Sequence, residues 1–146
     1  MKFSALTILT FAAAAVADLK FDLKAGASGT ALDGVAIKKA DSHLFAFSVG
    51  GDEGDDLSFT FKGSTLVDQD GAGARIDPDW QYLGSAQGSQ SPTEGFSHKN
   101  DKVLYQGNAK WQACPVEGIG HVLIFSEEKC YEGIDIQLVM ANQQEV

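Results

Sequence analysis

No stretch of this chain repeats apolar residues at i, i+3, i+4 and i+7 for three turns, so no segment after the opening reads as an amphipathic helix. Short runs rich in β-branched and aromatic side chains recur instead, divided by Gly, Asp, Ser and Asn. In order they are FDLKAG, GVAIK, LFAFSV, LSFTF, TLVDQD, ARID, WQYLG, GFSHK, VLYQG, WQACP, VLIFSE and IDIQLV. Several alternate strictly. Leu57, Phe59 and Phe61 share one face with Ser58 and Thr60 on the other, and Ile134, Ile136 and Leu138 repeat the pattern. Runs this short bury their apolar faces only by curling or stacking sheets, so the expected class is all-β.

Three blocks of about forty residues align along the chain, which is the length of a four-strand unit. They run from Phe21 to Lys62, from Gly63 to Lys99 and from Asn100 to Val139. The last two match best, TLVDQD, ARIDP, WQYLGS and GFSHK lying over VLYQG, WQACP, VLIFSE and GIDIQL. Three such units predict a β-trefoil-like barrel of about twelve short strands, capped by hairpins at one end. A two-sheet β-sandwich is the alternative.

The first residues, MKFSALTILTFAAAAVA, combine Lys2, an apolar stretch from Ala5 to Val16 and a small-x-small site at Ala15–Ala17. That is the form of a secretory signal peptide over residues 1–17, too short to span a membrane. Residues 18–146 are then expected as a single secreted domain, of a size that folds without cofactor or metal. Lys2 leaves with the leader, so the mature chain is one charge more acidic than the full chain's −9. Such a charge excludes tracking of nucleic-acid phosphates and gives no polybasic membrane patch. The polar ending ANQQEV lacks the hydrophobic tail of a GPI signal. No N-x-Ser/Thr sequon occurs, and a monomer is expected. Cys114 and Cys130 are the two cysteines. In an oxidising compartment they are expected to form one disulfide, closing about fifteen residues and contributing on the order of 3 kcal/mol.

Asp68–Asp79, DQDGAGARIDPD, has Asp at positions 1, 3 and 12 and Gly at 6 of a twelve-residue loop. An EF-hand needs an oxygen at position 5, where Ala72 stands, a Glu at 12, and flanking helices. The stretch is better read as two turns, with Gly71 and Gly73 at positive φ and Pro78 fixing the second. The acidic run GGDEGDD, Gly50–Asp56, reads as a solvated hairpin tip. His43, His98 and His121 are scattered, and neither a G-x-S-x-G elbow nor an H-E-x-x-H motif is present, so no catalytic residue and no metal site is assigned. GSAQGSQSPTEG, Gly84–Gly95, reads as a mobile polar loop suited to a protein partner. Trp80, Tyr82 and Trp111 are the candidate glycan-binding residues, because sugar rings stack on exposed aromatic faces. Trp80 and Tyr82 would alternate on one strand, where the competing role is to fill a barrel core.

The last third, GFSHKNDKVLYQGNAKWQACPVEGIGHVLIFSEEKCYEGIDIQLV, resembles the end of the fungal PhiA-like cell-wall proteins. More loosely it resembles the small yeast cell-wall mannoproteins and the C-terminal domain of Pir-type wall proteins. The matching elements are Gly95–Ser97, Asn100–Asp101, Leu104–Tyr105, Ala113–Pro115, Val122–Phe125 and Cys130–Ile134. VDQDGAGARI and GVAIKK resemble an earlier turn and the first strand of that family. The resemblance implies a secreted, non-enzymatic protein of the fungal wall or its surroundings, some of whose relatives are allergens. It carries over one site, the Cys114–Cys130 pair, with a structural role. Cell-wall polysaccharide is the expected partner. The other expectation is a secreted effector or inhibitor that binds a host or foreign protein through its loops.

Overall fold

The computed structural model describes residues 18–39 and 45–146, in which the chain is all-β with thirteen strands. The leader over residues 1–17 and His43 lie outside the described residues. In chain order the strands are β1 (Leu19–Gly26), β2 (Lys38–Lys39), β3 (Ser48–Val49), β4 (Asp55–Asp56), β5 (Ser58–Lys62), β6 (Thr65–Asp68) and β7 (Ala74–Ile76). Then follow β8 (Leu83–Ser85), β9 (Phe96–Lys99), β10 (Lys102–Tyr105), β11 (Trp111–Val116), β12 (Gly120–Phe125) and β13 (Ile134–Glu145). The main sheet curls strongly into a half-barrel.

The pairing sorts these strands into two sets. In the first, β1 lies between β5 and β13, with Phe21 opposite Phe59 and Leu23 opposite Met140. β5 pairs with β6, β9 with β10, and β10 meets β13 at Lys102 and Val139. At the remaining junction the Ser64 carbonyl, just ahead of β6, accepts the N–H groups of Gly95 and Phe96 at the start of β9, at 3.2 and 2.9 Å. The second set is three hairpins, β2–β3, β7–β8 and β11–β12, with β4 added to the edge of β2. Three antiparallel bridges join them in a ring: Ala46 to Gly84, Tyr82 to Ile124 and Val122 to Ser48. At the centre of the ring Phe47, Leu83 and Leu123 are fully buried. The Phe47 N–H donates to the Leu83 carbonyl at 2.8 Å, and the Leu123 N–H to the Phe47 carbonyl at 3.2 Å.

The alternation seen in the sequence sets the core. Phe21, Leu23 and Ala25 of β1, Phe59 and Phe61 of β5, and Leu138 and Met140 of β13 all point inward. Phe21 lies 5.5 Å from Phe61 and 6.2 Å from Phe59, and Phe47 lies 5.6 Å from Phe59, in the tilted packing aromatic rings prefer. Burying each such side chain stabilises the fold by about 1.5–3 kcal/mol. β13 serves both sets along its length, pairing with β11 through Ile134–Ile136 and with β1 through Gln137–Glu145. An extra residue on β13 opposite Lys20–Asp22 forms a bulge. There Asn142 takes φ +51° and donates its side-chain N–H to Asp22 at 2.8 Å.

The Asp68 stretch is a turn. Asp68 Oδ1 accepts the N–H groups of Asp70 and Ala72 at 2.9 and 3.0 Å, and Oδ2 pairs with Lys39 Nζ at 2.8 Å. Gly71 has the expected positive φ, +85°, but Gly73 does not. Gly73 is required for space, because a Cβ there would sit 2.6 Å from Pro92. In the second turn Asp77 Oδ2 accepts from the N–H groups of Asp79 and Trp80, at 3.2 and 2.6 Å. The acidic run ends in β4, whose exposed Asp55 and Asp56 stand opposite Lys39 and Lys38. The Gly84–Gly95 segment is held at both ends. Ala86 N–H donates to Gly73 O, Thr93 N–H to Ala74 O, and the Ile76 N–H to Thr93 Oγ1.

Cys114 and Cys130 form a disulfide, joining β11 to the loop between β12 and β13. Gln112, two residues before Cys114, is buried and pins the same loop. Its Nε2 donates to the carbonyls of Ser126 and Glu128 at 3.2 and 2.6 Å, and its Oε1 accepts the Cys130 N–H at 3.1 Å.

Candidate functional site

The three aromatic residues singled out from the sequence separate in the fold. Trp111 is 2% exposed and belongs to the core. Its ring stacks on Phe96, meets Phe125 edge-on at 4.8 Å, and donates its indole N–H to the Val103 carbonyl at 3.0 Å. A side chain so enclosed cannot offer a face to a sugar, which corrects its candidacy. Trp80 is 66% exposed but lies in the Asp77 turn rather than on a strand. Gln81, at φ +65°, turns the backbone between Trp80 and Tyr82, so the expected alternation along one strand does not occur. Tyr82 lines a cleft beside Phe45 and Arg75.

That cleft encloses about 270 Å³ between the first two hairpins of the ring. Phe45 and Tyr82 supply aromatic surface, and Arg75, Asp77, Ser85, Gln87 and Gln90 supply polar groups. Its geometry follows from the pairing. Arg75 on β7 stands opposite Gly84 on β8, so no side chain from β8 crosses beneath the guanidinium. Gly84 is a glycine because the backbone of the first hairpin presses on it: a Cβ would lie 2.4 Å from the Phe45 carbonyl oxygen. Phe45 itself takes φ +60°, a region that bulky residues rarely occupy and that costs of order 1–3 kcal/mol. Its ring stays 36% exposed at the cleft.

The polar groups differ in how far the protein satisfies them. Asp77 is committed to its turn through Oδ2, and its Oδ1 lies 3.5 Å from Arg75 Nη1. Gln90 Oε1 accepts the Gln87 N–H at 2.9 Å, which shapes the rim. Ser85 is buried, and its Oγ has no hydrogen-bond partner among the described residues. The outer side of the ring beside Tyr82 is sealed by Ala46, Val122, Ile124 and the Cys114–Cys130 bridge.

Phe45, Arg75 and Asp77 were not singled out by sequence reasoning, whereas Ser85, Gln87 and Gln90 lie in the Gly84–Gly95 segment expected to meet a protein partner. One signal was present: Arg75 is the only arginine in a chain that otherwise uses lysine for positive charge. The forked, planar guanidinium is not interchangeable with an ammonium group. No protein-family model, no curated protein and no solved structure matches the chain.

Proposed function

We propose that this chain is a secreted, non-enzymatic protein of the fungal cell wall or its surroundings, where it has a structural or glycan-interacting role. The observation that carries the reading is the cleft. Aromatic surface from Phe45 and Tyr82 faces a polar group set of Arg75, Asp77, Gln87 and Gln90. A sugar ring has the matching character, with C–H faces that stack on aromatic rings and hydroxyls that exchange hydrogen bonds. The disulfide is consistent with an extracellular protein. Tyr82 is retained as a glycan contact, and Trp80 is the exposed aromatic nearest it along the chain.

The architecture proposed for the frame is the β-trefoil-like barrel. Support comes from the order of pairing, β1 to β5, β5 to β6, β9 to β10, β10 to β13 and β13 to β1, with the Ser64 contacts at the sixth junction. Each of the last two blocks supplies four strands, as the alignment of the sequence requires. The sandwich is the alternative arrangement.

The test is co-sedimentation of the mature protein with insoluble chitin, β-1,3-glucan and isolated fungal wall at low and high salt. Salt-resistant retention that weakens in Tyr82→Ala is expected. Absence of retention on all three overturns the wall reading. The second reading, a secreted effector or inhibitor, is favoured by the exposure of Trp80 and of Tyr131, which is 87% exposed. Exposed aromatics of this kind are common anchors for protein partners.

A further inference from the structure

We infer that the cleft selects a sugar ring carrying a carboxylate, a hexuronate, over a neutral hexose; the inference deepens the glycan reading and rests on it. Size comes first. A space of about 270 Å³, just below the usual range for small-molecule sites, holds one sugar ring.

Charge decides which ring. The only arginine of the chain lines this cleft, and its contact with Asp77 is long, 3.5 Å from Nη1. A guanidinium carries five N–H donors in a fork that matches the two oxygens of a carboxylate. Asp77, the one carboxylate among the described lining residues, opposes an anion least where it is already engaged. Its Oδ2 accepts two backbone N–H groups, and its Oδ1 faces the arginine. The negative charge of the rest of the chain, −9 in the full sequence, is screened beyond about 8 Å at physiological salt, whereas the guanidinium acts in direct contact.

The remaining lining fits the rest of the ring. Phe45 and Tyr82 provide the surface for its C–H face. Ser85 brings a buried hydroxyl that no described residue satisfies. Gln87 and Gln90 add amide groups to the lining that can exchange hydrogen bonds with ring hydroxyls. The strained backbone at Phe45 fits the same account, because it places an aromatic ring at the cleft at a conformational cost.

The experiment uses the mature protein and four soluble probes: sodium glucuronate, sodium galacturonate, glucose and cyclohexanecarboxylate. Binding is followed by heteronuclear NMR titration, with Arg75→Gln and Arg75→Lys as variants. The expected result is saturable shifts at Phe45, Tyr82 and Gly84 with at least one uronate, about tenfold tighter than with glucose. Arg75→Gln should remove that preference. Arg75→Lys should restore it only in part, because an ammonium group cannot form the two parallel bonds. The folded state of each variant is verified by its amide spectrum. Equal affinity for uronates and glucose, or undiminished uronate binding in folded Arg75→Gln, overturns the inference. So does cyclohexanecarboxylate binding as tightly as the uronates, which would mean that an acid is recognised without its sugar. No binding by any probe overturns it as well. Retention on the wall without uronate binding would remove this inference alone. Uronate binding without wall retention would remove the wall reading and keep the cleft.

Discussion

Single side chains decide how this chain manages its buried polar groups. Gln112 is the clearest case. Its amide satisfies two carbonyls and one N–H of the Ser126–Cys130 loop from a buried position. Gln112→Ala should therefore leave those groups unpaired and cost roughly 1–3 kcal/mol. The measurement is the urea midpoint, and an unchanged midpoint would show that water replaces the amide without loss. Nothing in WQACP marked this glutamine, because a polar residue beside a cysteine reads as solvent-facing until its strand has neighbours on both sides. Here β11 lies between β12 and β13. Trp111 has the same history. Its exposure depends on Phe96, Val103 and Phe125, which come from three other strands.

At the level of elements, the loop between β12 and β13 is fastened twice, by Gln112 and by the Cys114–Cys130 bridge. The paired substitution Cys114→Ala with Cys130→Ala should lower stability by about 3 kcal/mol, the chain-entropy cost of freeing a loop of this length. Because both fasteners hold one loop, the effects should not add. Once the disulfide is gone, Gln112→Ala should cost a different amount than in its presence, by about 0.5 kcal/mol or more. Thermal melts of the four species decide it, and strict additivity would show that the two act on separate units. The hairpins also show how much of the pattern was legible. Strands such as LSFTF and IDIQLV could be read from alternation, because a half-buried strand must alternate. WQYLG could not, since Gln81 at φ +65° breaks the phase and puts Trp80 in a turn.

For the whole molecule, the ion pair between Lys39 and Asp68 ties the edge of the β2–β3 hairpin to the end of β6. Burial alone would lower the pKa of Lys39. Its hydrogen bonds to Asp68 and Asp70, with the charges of both, outweigh burial and hold it above the ordinary 10.5. A folded value above the unfolded one gives a contribution that is complete below about pH 10.5 and is lost as pH rises through the folded value. Melting temperature should therefore fall with pH on the alkaline side more steeply in the native protein than in Lys39→Met. Equal slopes there would show that the pair is energetically neutral. Glu127 has the opposite sign. Lys110 hydrogen-bonds it and holds its pKa below the ordinary carboxylate value, but the group is fully exposed, so no stability is assigned to it.

The sequence by itself determined the class of this protein. Beyond the opening residues its alternation and turn residues call for many short strands, and its two cysteines permit the one bridge that the structure holds. Many of the short strands were also legible, because each strand needs a local turn and the turn residues recur with them. The tertiary structure alone decided which polar and aromatic residues meet. The cleft joins Phe45 from one hairpin with Arg75 and Tyr82 from the next and Gln90 from the segment that follows it. These neighbours are set by the Ala46–Gly84 bridge between hairpins, a contact distant in sequence that no local periodicity encodes.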